Sequence, residues 1–479
     1  MTIENFIKRI QNIMRQDAGV DGDAQRISQL VWLLFLKIYD AKEEFWEFYE
    51  DDFQSIIPEE CRWRNWAVDH KDGKALTGDE LLDFVNNKLF PTLKNLEVDA
   101  HTEKRKAIVK YVFEDANNYM KNGILLRQVI NIINEVDFTE YEERHAFNDI
   151  YENILKDLQS AGNAGEFYTP RPVTEFMVEM IQPKVGDTIA DFACGTGGFL
   201  TSTLKYLENQ IHTPEDKEIV QNSLFGIEKK PLPYLLAITN MILHDIDSPN
   251  ILHDNALAKN VRDYKEEDKF DIILMNPPYG GTEEESIKIN FPVALQSSET
   301  ADLFMALILY RLKRNGRAAV VLPNSFLFGD DRGKVAIRQK LLEECNLHTI
   351  VRLPEGVFAP YTSIPTNLLF FEKTGPTKEV WYFEHPLPDG YTRYSKTRPL
   401  KKEEFELEKA WWNNRVENEY AWKVSIDEIK KANYNLNFRN PSSTNERELE
   451  KSALELVQEL QQSQAKVVNL LKMLEQELS

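Results

Sequence analysis

The chain has 479 residues, of which 42% are hydrophobic and 28% carry a charge. That length predicts two or three domains, and the composition is that of a folded protein and excludes a disordered one. The 57 basic and 78 acidic residues leave a formal net charge of −21. Because such a surface repels phosphate, the isolated chain is expected to be a poor general binder of nucleic acid unless a partner or a local basic face overcomes the repulsion.

The cysteine pattern and the N-terminus argue against a secreted or membrane protein. Cys61, Cys194 and Cys345 lie far apart and form neither a disulfide framework nor a Cys-x-x-Cys metal site. The first residues show no basic-then-apolar signal pattern, and the apolar run at residues 30–36 is too short to cross a bilayer. We therefore expect a cytoplasmic protein with no membrane association and no bound metal.

Residues 1–155 are predicted to form a separate helical domain. Apolar residues at helical spacing mark one buried helix: Ile27, Leu30, Val31, Leu34, Phe35 and Ile38. Further helices are predicted over residues 78–89, 103–117 and 126–136. No stretch in this part of the sequence has the short β-rich pattern of a strand.

Residues 156–400 are predicted to form an α/β catalytic domain that begins near a small-residue loop at 160–165. Strands are predicted at 188–193, 223–228, 271–275, 318–322, 348–353 and 367–372. Helices are predicted between them at 173–181, 199–208, 231–243, 303–312 and 334–342. Short apolar strands that alternate with amphipathic helices indicate a doubly wound, mostly parallel sheet covered on both faces.

Residues 401–479 are predicted to form a polar helical tail. Its end carries a seam with alternating spacings of four and three: Leu449, Ala453, Leu456, Leu460, Ser463, Val467, Leu470 and Leu474. Two interpretations stay open, a helix packed on its own protein and a helix that docks on a partner subunit.

A glycine turn follows the first predicted strand. Asp191 ends the strand, and Gly195, Gly197 and Gly198 lead into a helix. Glycines let the backbone approach a ligand closely, and the helix start offers free N–H groups. The spacing is not the Gly-x-Gly-x-x-Gly fingerprint of dinucleotide-binding proteins, so the turn alone is weak support for a nucleotide-like ligand.

Two acidic residues follow the next two strands. Glu228 ends its strand, where a carboxylate can bind both hydroxyls of a ribose. Asp254 follows later and could accept a hydrogen bond from an adenine amino group, although a loop aspartate in an Asx-turn explains it almost as well. No phosphate-loop lysine follows the glycines, so the pattern suits a ligand that contains adenosine but no phosphates.

The motif Asn276-Pro277-Pro278-Tyr279 follows a buried strand. The prolines stiffen the backbone and leave their carbonyl groups free to accept hydrogen bonds, and the asparagine adds an amide oxygen. The tyrosine offers a flat aromatic face. Together these groups can hold a planar amine by its two N–H bonds and by its ring.

An amino group attached to an aromatic ring is a poor nucleophile, because its lone pair is delocalised into the ring. Hydrogen bonds to Asn276 and to the Pro277 carbonyl favour a more tetrahedral nitrogen with a localised lone pair. A sulfonium methyl donor carries its own leaving group. Positioning and electrostatics can therefore supply most of the rate acceleration, without a metal or a covalent enzyme intermediate.

Three motifs in this order resemble the modification (HsdM) subunits of type I restriction–modification systems. They are Glu166-Phe-Tyr-Thr-Pro-Arg171, Asp191-Phe-Ala-Cys-Gly-Thr-Gly-Gly198 and Asn276-Pro-Pro-Tyr279. The resemblance covers nearly the whole chain. It implies a Rossmann-like, S-adenosylmethionine-dependent methyltransferase fold and methylation of adenine N6 in DNA.

The resemblance also implies roles for the matching residues. The cofactor-binding residues would be Glu166, Phe167, Tyr168, Thr169, Pro170, Arg171, Asp191, Gly195, Thr196, Gly197, Gly198, Glu228 and Asp254. The catalytic residues would be Asn276, Pro277, Pro278 and Tyr279, which would hold an adenine rotated out of double-stranded DNA. The tail would dock on the specificity subunit.

The partners implied by the resemblance explain the acidic composition. A separate DNA specificity (S) subunit would read the sequence, two copies of this chain would clamp around it, and a restriction (R) subunit would complete the system. The basic stretches at residues 104–106 and 311–314 are either phosphate contacts or ordinary solvated helix faces. Two other functions stay open, an amino-group methyltransferase acting on protein glutamine or RNA and a scaffold without activity.

Overall fold

The structure is a computed structural model that describes residues 3–69, 75–140, 147–148, 151–155, 168–442, 461 and 464. The loop predicted at 160–165, the predicted site residues Glu166 and Phe167, and the seam of the C-terminal tail lie outside the described residues. No helix in the described ranges is long and apolar enough to cross a membrane.

The N-terminal part is helical, as predicted. Its helices are α1 (Ile3–Met14), α2 (Gly22–Tyr49), α3 (Trp63–Trp66), α4 (Gly78–Asp83), α5 (Phe90–Lys94), α6 (Lys104–Glu114) and α7 (Gly123–Ile133). Helix α2 buries the predicted apolar stripe. The helix predicted at 78–89 continues through a π-helical turn, Phe84–Leu89, into α5. Pro91 stands in the first turn of α5, directly after the π-helical turn.

A nine-stranded sheet forms the centre of the described C-terminal part. The strands are β1 (Ile189–Asp191), β2 (Leu224–Glu228), β3 (Asn250–His253), β4 (Phe270–Met275), β5 (Leu312–Pro323), β6 (Asn346–Arg352), β7 (Thr366–Glu372), β8 (Glu379–Glu384) and β9 (Ala421–Ser425). Their order in space is β3-β2-β1-β4-β5-β7-β6-β8-β9. The chain therefore starts in the middle of the sheet and reverses its direction of winding after β3, which is the doubly wound topology predicted from the sequence.

Helices cover both faces of this sheet. They are α8 (Arg171–Ile181), α9 (Gly198–Leu207), α10 (Pro214–Ser223), α11 (Pro231–Leu243), α12 (Glu285–Lys288), α13 (Thr300–Arg311), α14 (Asn324–Leu327), α15 (Arg332–Glu344), α16 (Glu406–Trp412) and α17 (Ile426–Lys431). Helices α8, α9, α11 and α16 share one apolar core with the N-terminal helices. Helices α13, α14, α15 and α17 share the core on the opposite face.

The sheet is mixed, because β7 and β9 are antiparallel to their neighbours while β1 to β5 are parallel. The six strands predicted with bounds are present, β3 was implied before Asp254 without bounds, and β8 and β9 were missed. Strand β3 has only four residues at the edge of the sheet, and it buries only one of them, Ile251. The domain limits at residues 155 and 400 stay a prediction, although β9 extends the sheet beyond residue 400.

The helical part packs directly on α11. Lys42 on α2 is buried and pairs with Asp245 and Asp247, which follow α11, at 2.9 and 3.1 Å. The Tyr151 hydroxyl donates to the Leu236 carbonyl oxygen of α11 at 3.0 Å. A buried lysine is tolerated only when paired, so these contacts fix the helical part against the catalytic sheet.

Candidate active site

The carboxyl ends of four strands meet at one edge of the sheet. Strand β1 ends at Asp191, β2 ends at Glu228, β3 leads into Asp254 and β4 leads into Asn276. Because these strands are parallel neighbours, their ends lie side by side. This edge, at the switch point of a doubly wound sheet, is where such folds bind ligands.

A cavity of about 110 Å³ lies at this edge. Among the residues predicted from the sequence, its lining includes Thr169, Asp191, Gly195, Gly198, Glu228, Asp254, Asn276 and Pro278. The predicted residues beside the lining but outside it are Tyr168, Pro170, Arg171, Thr196, Gly197, Pro277 and Tyr279. The cavity therefore brings together the acids, part of the glycine turn and the asparagine of the third motif.

The glycine turn has the geometry expected of its sequence. Gly197 has a φ of +79°, a backbone conformation that favours glycine, and it caps α9. A Cβ on Gly198 would lie 2.5 Å from Arg171 Nη1, so a side chain there would collide with a buried guanidinium. The Asn240 amide on α11 donates to the buried Thr196 carbonyl oxygen at 3.0 Å and holds the turn against that helix.

Two buried carboxylates face the cavity. Asp191 is 1% exposed and Glu228 is 6% exposed. Burial raises the pKa of Asp191 well above its usual range, and the nearby Glu228 carboxylate raises it further. Burial also raises the pKa of Glu228, against the opposing effect of hydrogen bonds from the backbone N–H groups of Lys230 (2.7 Å) and Gly195 (2.9 Å). Two desolvated acids in one cavity favour a ligand that carries positive charge and hydroxyl donors.

Asp191→Asn is expected to stabilise the ligand-free protein at neutral pH. A carboxyl group whose pKa is raised by folding favours the folded state below its unfolded pKa, and that contribution is lost as the pH rises through the folded pKa. The gain from the uncharged amide should therefore grow between about pH 4 and neutral pH. Thermal unfolding of both proteins across this pH range checks the sign of the change in stability.

Asp216→Asn is the matched control, because Asp216 lies on the surface and its pKa is lowered by hydrogen bonds from the backbone N–H groups of His212 and Thr213. This variant should be less stable than the wild type at neutral pH and should converge with it in acid. An Asp191→Asn protein that is less stable than wild type at neutral pH would show that the carboxylate is not under this strain.

Asn276 presents an acceptor to the cavity. Its Nδ2 donates to Thr169 Oγ1 at 3.1 Å, which fixes the orientation of the carboxamide. Its Oδ1 is buried, and no described residue donates a hydrogen bond to it. A buried amide oxygen without a partner is costly, so its retention at a cavity indicates a ligand donor.

The rest of this motif surrounds the asparagine. Pro277 is buried, Pro278 is exposed and lines the cavity, and Tyr279 is half-buried. Burial raises the pKa of Tyr279, so the phenol stays neutral, and its hydroxyl lies near Asn276 without meeting hydrogen-bond geometry with any described residue. Asp254, at the other end of the cavity, is exposed. Its Oδ1 accepts from the N–H of the next residue, Asn255, at 2.7 Å, whereas an Asx-turn joins the side chain to the N–H two residues on.

Residues 168–171 divide between the cavity and the support beneath it. Thr169 lines the cavity, whereas the Tyr168 hydroxyl donates to Glu152 Oε1 at 2.6 Å. Arg171 forms a bidentate pair with the same carboxylate, with both distances 2.8 Å. Pro170 caps α8. The arginine therefore connects the helical segment at 151–155 to the underside of the glycine turn.

Arg171→Met is expected to destabilise the protein by about 3 kcal/mol, because it leaves the Glu152 carboxylate without its bidentate partner. Arg9→Met is the matched control, since the Arg9–Glu135 pair has the same bidentate form but side chains that are 40% and 37% exposed. The free energy of unfolding of the control should fall by less than about 1 kcal/mol. Denaturant unfolding of both variants measures the difference, and equal losses would refute a supporting role for Arg171.

Residues to which the sequence patterns assigned no binding role complete the cavity. They are Phe192, Ala193, Cys194, Phe199, Lys229, Lys230, Asn255, Ala256, Glu283, Thr300 and Phe304. Thr300 and Phe304 lie four residues apart on α13 and share one face. Thr300 Oγ1 donates to Glu283 Oε1 at 3.2 Å. A threonine and a phenylalanine four residues apart are common on ordinary helices, so no local sequence signal identifies Thr300 and Phe304 as lining residues.

Both basic stretches contain an arginine that is already engaged. Arg105 forms a bidentate pair with Glu50 at 2.7 and 2.6 Å. Arg311 is 5% exposed, and its guanidinium lies 4.7 Å from the ring centre of Phe192 and 4.1 Å from that of Tyr264. Arg311 is therefore not a phosphate contact. It supports Phe192, one wall of the cavity, through cation–π contacts.

Comparison with known proteins identifies the family. The family model of the HsdM N-terminal domain matches residues 3–133, and that of N-6 DNA methylase matches residues 142–450. The type I restriction enzyme EcoEI methylase subunit of Escherichia coli is 56% identical over 450 residues, which cover 92% of this chain and 91% of that protein. The chain belongs to the family of type I restriction–modification methylase subunits. The resemblance noted in the sequence is thus confirmed.

Solved structures agree with the assignment of a type I methylase subunit. A modification subunit of a putative type I restriction enzyme from Vibrio vulnificus YJ016 is 43% identical, with a TM-score of 0.82 and coverage of 92% of this chain and 97% of that one. A chain from a structure on complex assembly and conformational transition of the type I R-M system is 37% identical, with a TM-score of 0.84 and coverage of 99% and 98%.

The predicted fold and activity are confirmed by these relationships. This type I methylase subunit is an adenine-specific N6 DNA methyltransferase with an S-adenosylmethionine-dependent methyltransferase fold. The alternative of a glutamine or RNA methyltransferase is not favoured. S-adenosylmethionine is the methyl donor that this fold implies, and the buried acids of the cavity suit its positive charge and its ribose.

Proposed function

We propose that the cavity is the cofactor site and that Asn276-Pro277-Pro278-Tyr279 is the base-binding motif of a type I modification enzyme. The observation that carries the proposal is the buried Oδ1 of Asn276, to which no residue in the described ranges donates, beside two buried carboxylates. This arrangement offers an acceptor for an amino group next to a pocket for a cation.

The lining of the cavity offers a partner for each part of S-adenosylmethionine. Glu228 would accept from the ribose hydroxyls, and Asp254 would accept from the adenine amino group. Phe192 and Phe304 supply apolar walls for the adenine ring. Asp191 would face the positively charged methionine end. The bound cofactor supplies a sulfonium-activated methyl group.

Asn276 and Pro277 would hold the amino nitrogen of the target adenine. Thr169 keeps the asparagine amide turned so that Oδ1 accepts. One N6–H bond would be directed to Oδ1 and the other to the Pro277 carbonyl, which favours a localised lone pair on nitrogen. Tyr279 would stack on the base. The acceptors are fixed before the base arrives, so little reorganisation accompanies the reaction.

The target adenine would reach this site by rotating out of the duplex, because N6 is engaged in pairing inside the stack. DNA reading would come from a specificity subunit, with two copies of this chain bound to each one and a restriction subunit added for cleavage. This division of labour accounts for the net charge of −21. Because the substrate would be DNA, a cytoplasmic location is part of the proposal.

Transfer of labelled methyl groups by the reconstituted complex tests the proposal. The complex of this chain with its DNA-reading partner is incubated with labelled S-adenosylmethionine and with DNA, RNA or protein as acceptor. The label is expected in DNA as N6-methyladenine and only when both subunits are present. Label in protein or RNA and not in DNA would overturn the proposal.

A further inference from the structure

His253 occupies a junction between the helical part of the protein and the adenosine end of the cavity. It ends β3, directly before Asp254, and its side chain is 21% exposed. None of the sequence motifs includes it, and it does not line the cavity. Its contacts nevertheless reach three different elements.

The first contact is with the strand that carries the ribose acid. His253 Nε2 lies 3.2 Å from the Lys229 carbonyl oxygen, so a protonated Nε2 donates to the residue that follows Glu228. The Asp254 N–H donates to the Glu228 carbonyl oxygen at 3.1 Å. Asp254 is thus held to β2 from both sides, by its own backbone and by the preceding imidazole.

The second contact is with α11. The imidazole stacks on Tyr234 with ring centres 4.9 Å apart and an interplanar angle of 15°. Tyr234 is 3% exposed and does not move freely. Helix α11 also carries Asn240, which fixes the glycine turn through the Thr196 carbonyl oxygen. The stack therefore ties the adenine-facing loop to the helix that supports the rest of the cofactor site.

The third contact is with the helical part. Asp115, at the end of α6, places Oδ2 3.6 Å from His253 Nδ1, and its side chain is 51% exposed. This is the distance of an ion pair when the ring carries a proton on each nitrogen. Since Lys42 anchors the helical part at the opposite end of α11, the two domains meet at both ends of this helix.

We propose that His253 is a positioning residue that holds Asp254 in place to recognise the adenine amino group of the cofactor. The inference rests on the proposed role of Asp254. Through Asp115, it gives the helical part of the chain a share in cofactor selection, and the stack on Tyr234 adds support from α11. The imidazole itself does not touch the cofactor.

A comparison of two cofactor-like ligands tests this inference in the full chain. S-adenosylhomocysteine carries the adenine amino group, and S-inosylhomocysteine carries a carbonyl oxygen in its place. Asp254 should favour the first ligand in the wild type. H253A should weaken binding of the amino ligand between about two- and tenfold and leave the inosyl ligand nearly unchanged, so the preference falls toward that of D254A.

Controls separate positioning from general damage to the fold. H253F keeps a ring against Tyr234 but cannot donate to the Lys229 carbonyl oxygen, so it should fold normally and still lose part of the preference. D115N should weaken binding of the amino ligand by about twofold or less, as expected for an exposed ion pair. H212A alters an exposed histidine and should leave the affinity for both ligands unchanged.

The outcomes are distinct. A wild type without preference for the amino ligand overturns the role of Asp254 and the inference with it. A wild type with the preference, retained in folded H253A and H253F, overturns the inference alone. Equal weakening of both ligands in H253A would show a merely structural role and would also overturn it.

Discussion

Asn276→Ala is expected to slow methyl transfer to DNA by about 10²- to 10³-fold, the loss typical of removing one preorganised hydrogen-bonding group from an active site. The proposed role of Oδ1 is the reason, since it would be the fixed acceptor that localises the lone pair on the amino nitrogen. Single-turnover transfer by the reconstituted complex at saturating S-adenosylmethionine measures the effect. Affinity for the cofactor should stay within about twofold of the wild type, because Asn276 is expected to contact the base and not the ribose.

Asn324→Ala provides a matched control for this variant. Asn324 also follows the carboxyl end of a strand, β5, but its side chain bonds to Asn367 and lies outside the cavity. Asn324→Ala should therefore slow methyl transfer far less than Asn276→Ala does. Undiminished transfer in Asn276→Ala would contradict the role assigned to the carboxamide.

Glu228→Ala is expected to weaken S-adenosylmethionine binding by about 10- to 150-fold, since a hydrogen bond to a charged group contributes about 1.5–3 kcal/mol. The contacts that we expect to be lost are the proposed hydrogen bonds to the ribose hydroxyls. Calorimetric titration of the full chain measures the affinity. Transfer should be slow at low cofactor concentration and should recover in large part at saturation.

The same substitution leaves the backbone N–H groups of Gly195 and Lys230 without their acceptor, so unfolding is followed in parallel. Glu218→Ala removes an exposed carboxylate from α10, the helix before the same strand, and is the control. Cofactor affinity that is unchanged in folded Glu228→Ala would show that the ribose lies elsewhere.

Residues at strand ends were the part of the site that sequence reasoning could locate. Asp191, Glu228 and Asn276 each follow a short apolar run, and parallel strands bring such ends together whatever the loops do. The same logic recovered six strands, because their buried residues form unbroken apolar runs. It missed β8 and β9, in which buried and exposed residues alternate at the far edge of the sheet.

Contacts between residues far apart in the sequence could not be predicted from the sequence. Arg171 stands in a motif attributed to the cofactor, but its guanidinium is engaged by Glu152, nineteen positions earlier. Phe304 joins the cavity from a helix whose face is set by packing against the sheet. His253 carries no local signal, because its partners come from α6, α11 and β2. Such roles depend on tertiary packing that single-sequence patterns do not encode.

The distance from adenine N6 to Asn276 Oδ1 tests the central claim most directly. It would be measured in a structure of the assembled enzyme with target DNA and a non-reactive S-adenosylmethionine analogue. The account predicts an adenine rotated out of the duplex, with its N6 about 2.7–3.2 Å from that oxygen and its ring against Tyr279. An adenine bound for reaction with its amino group beyond hydrogen-bond reach of Asn276 would contradict the account.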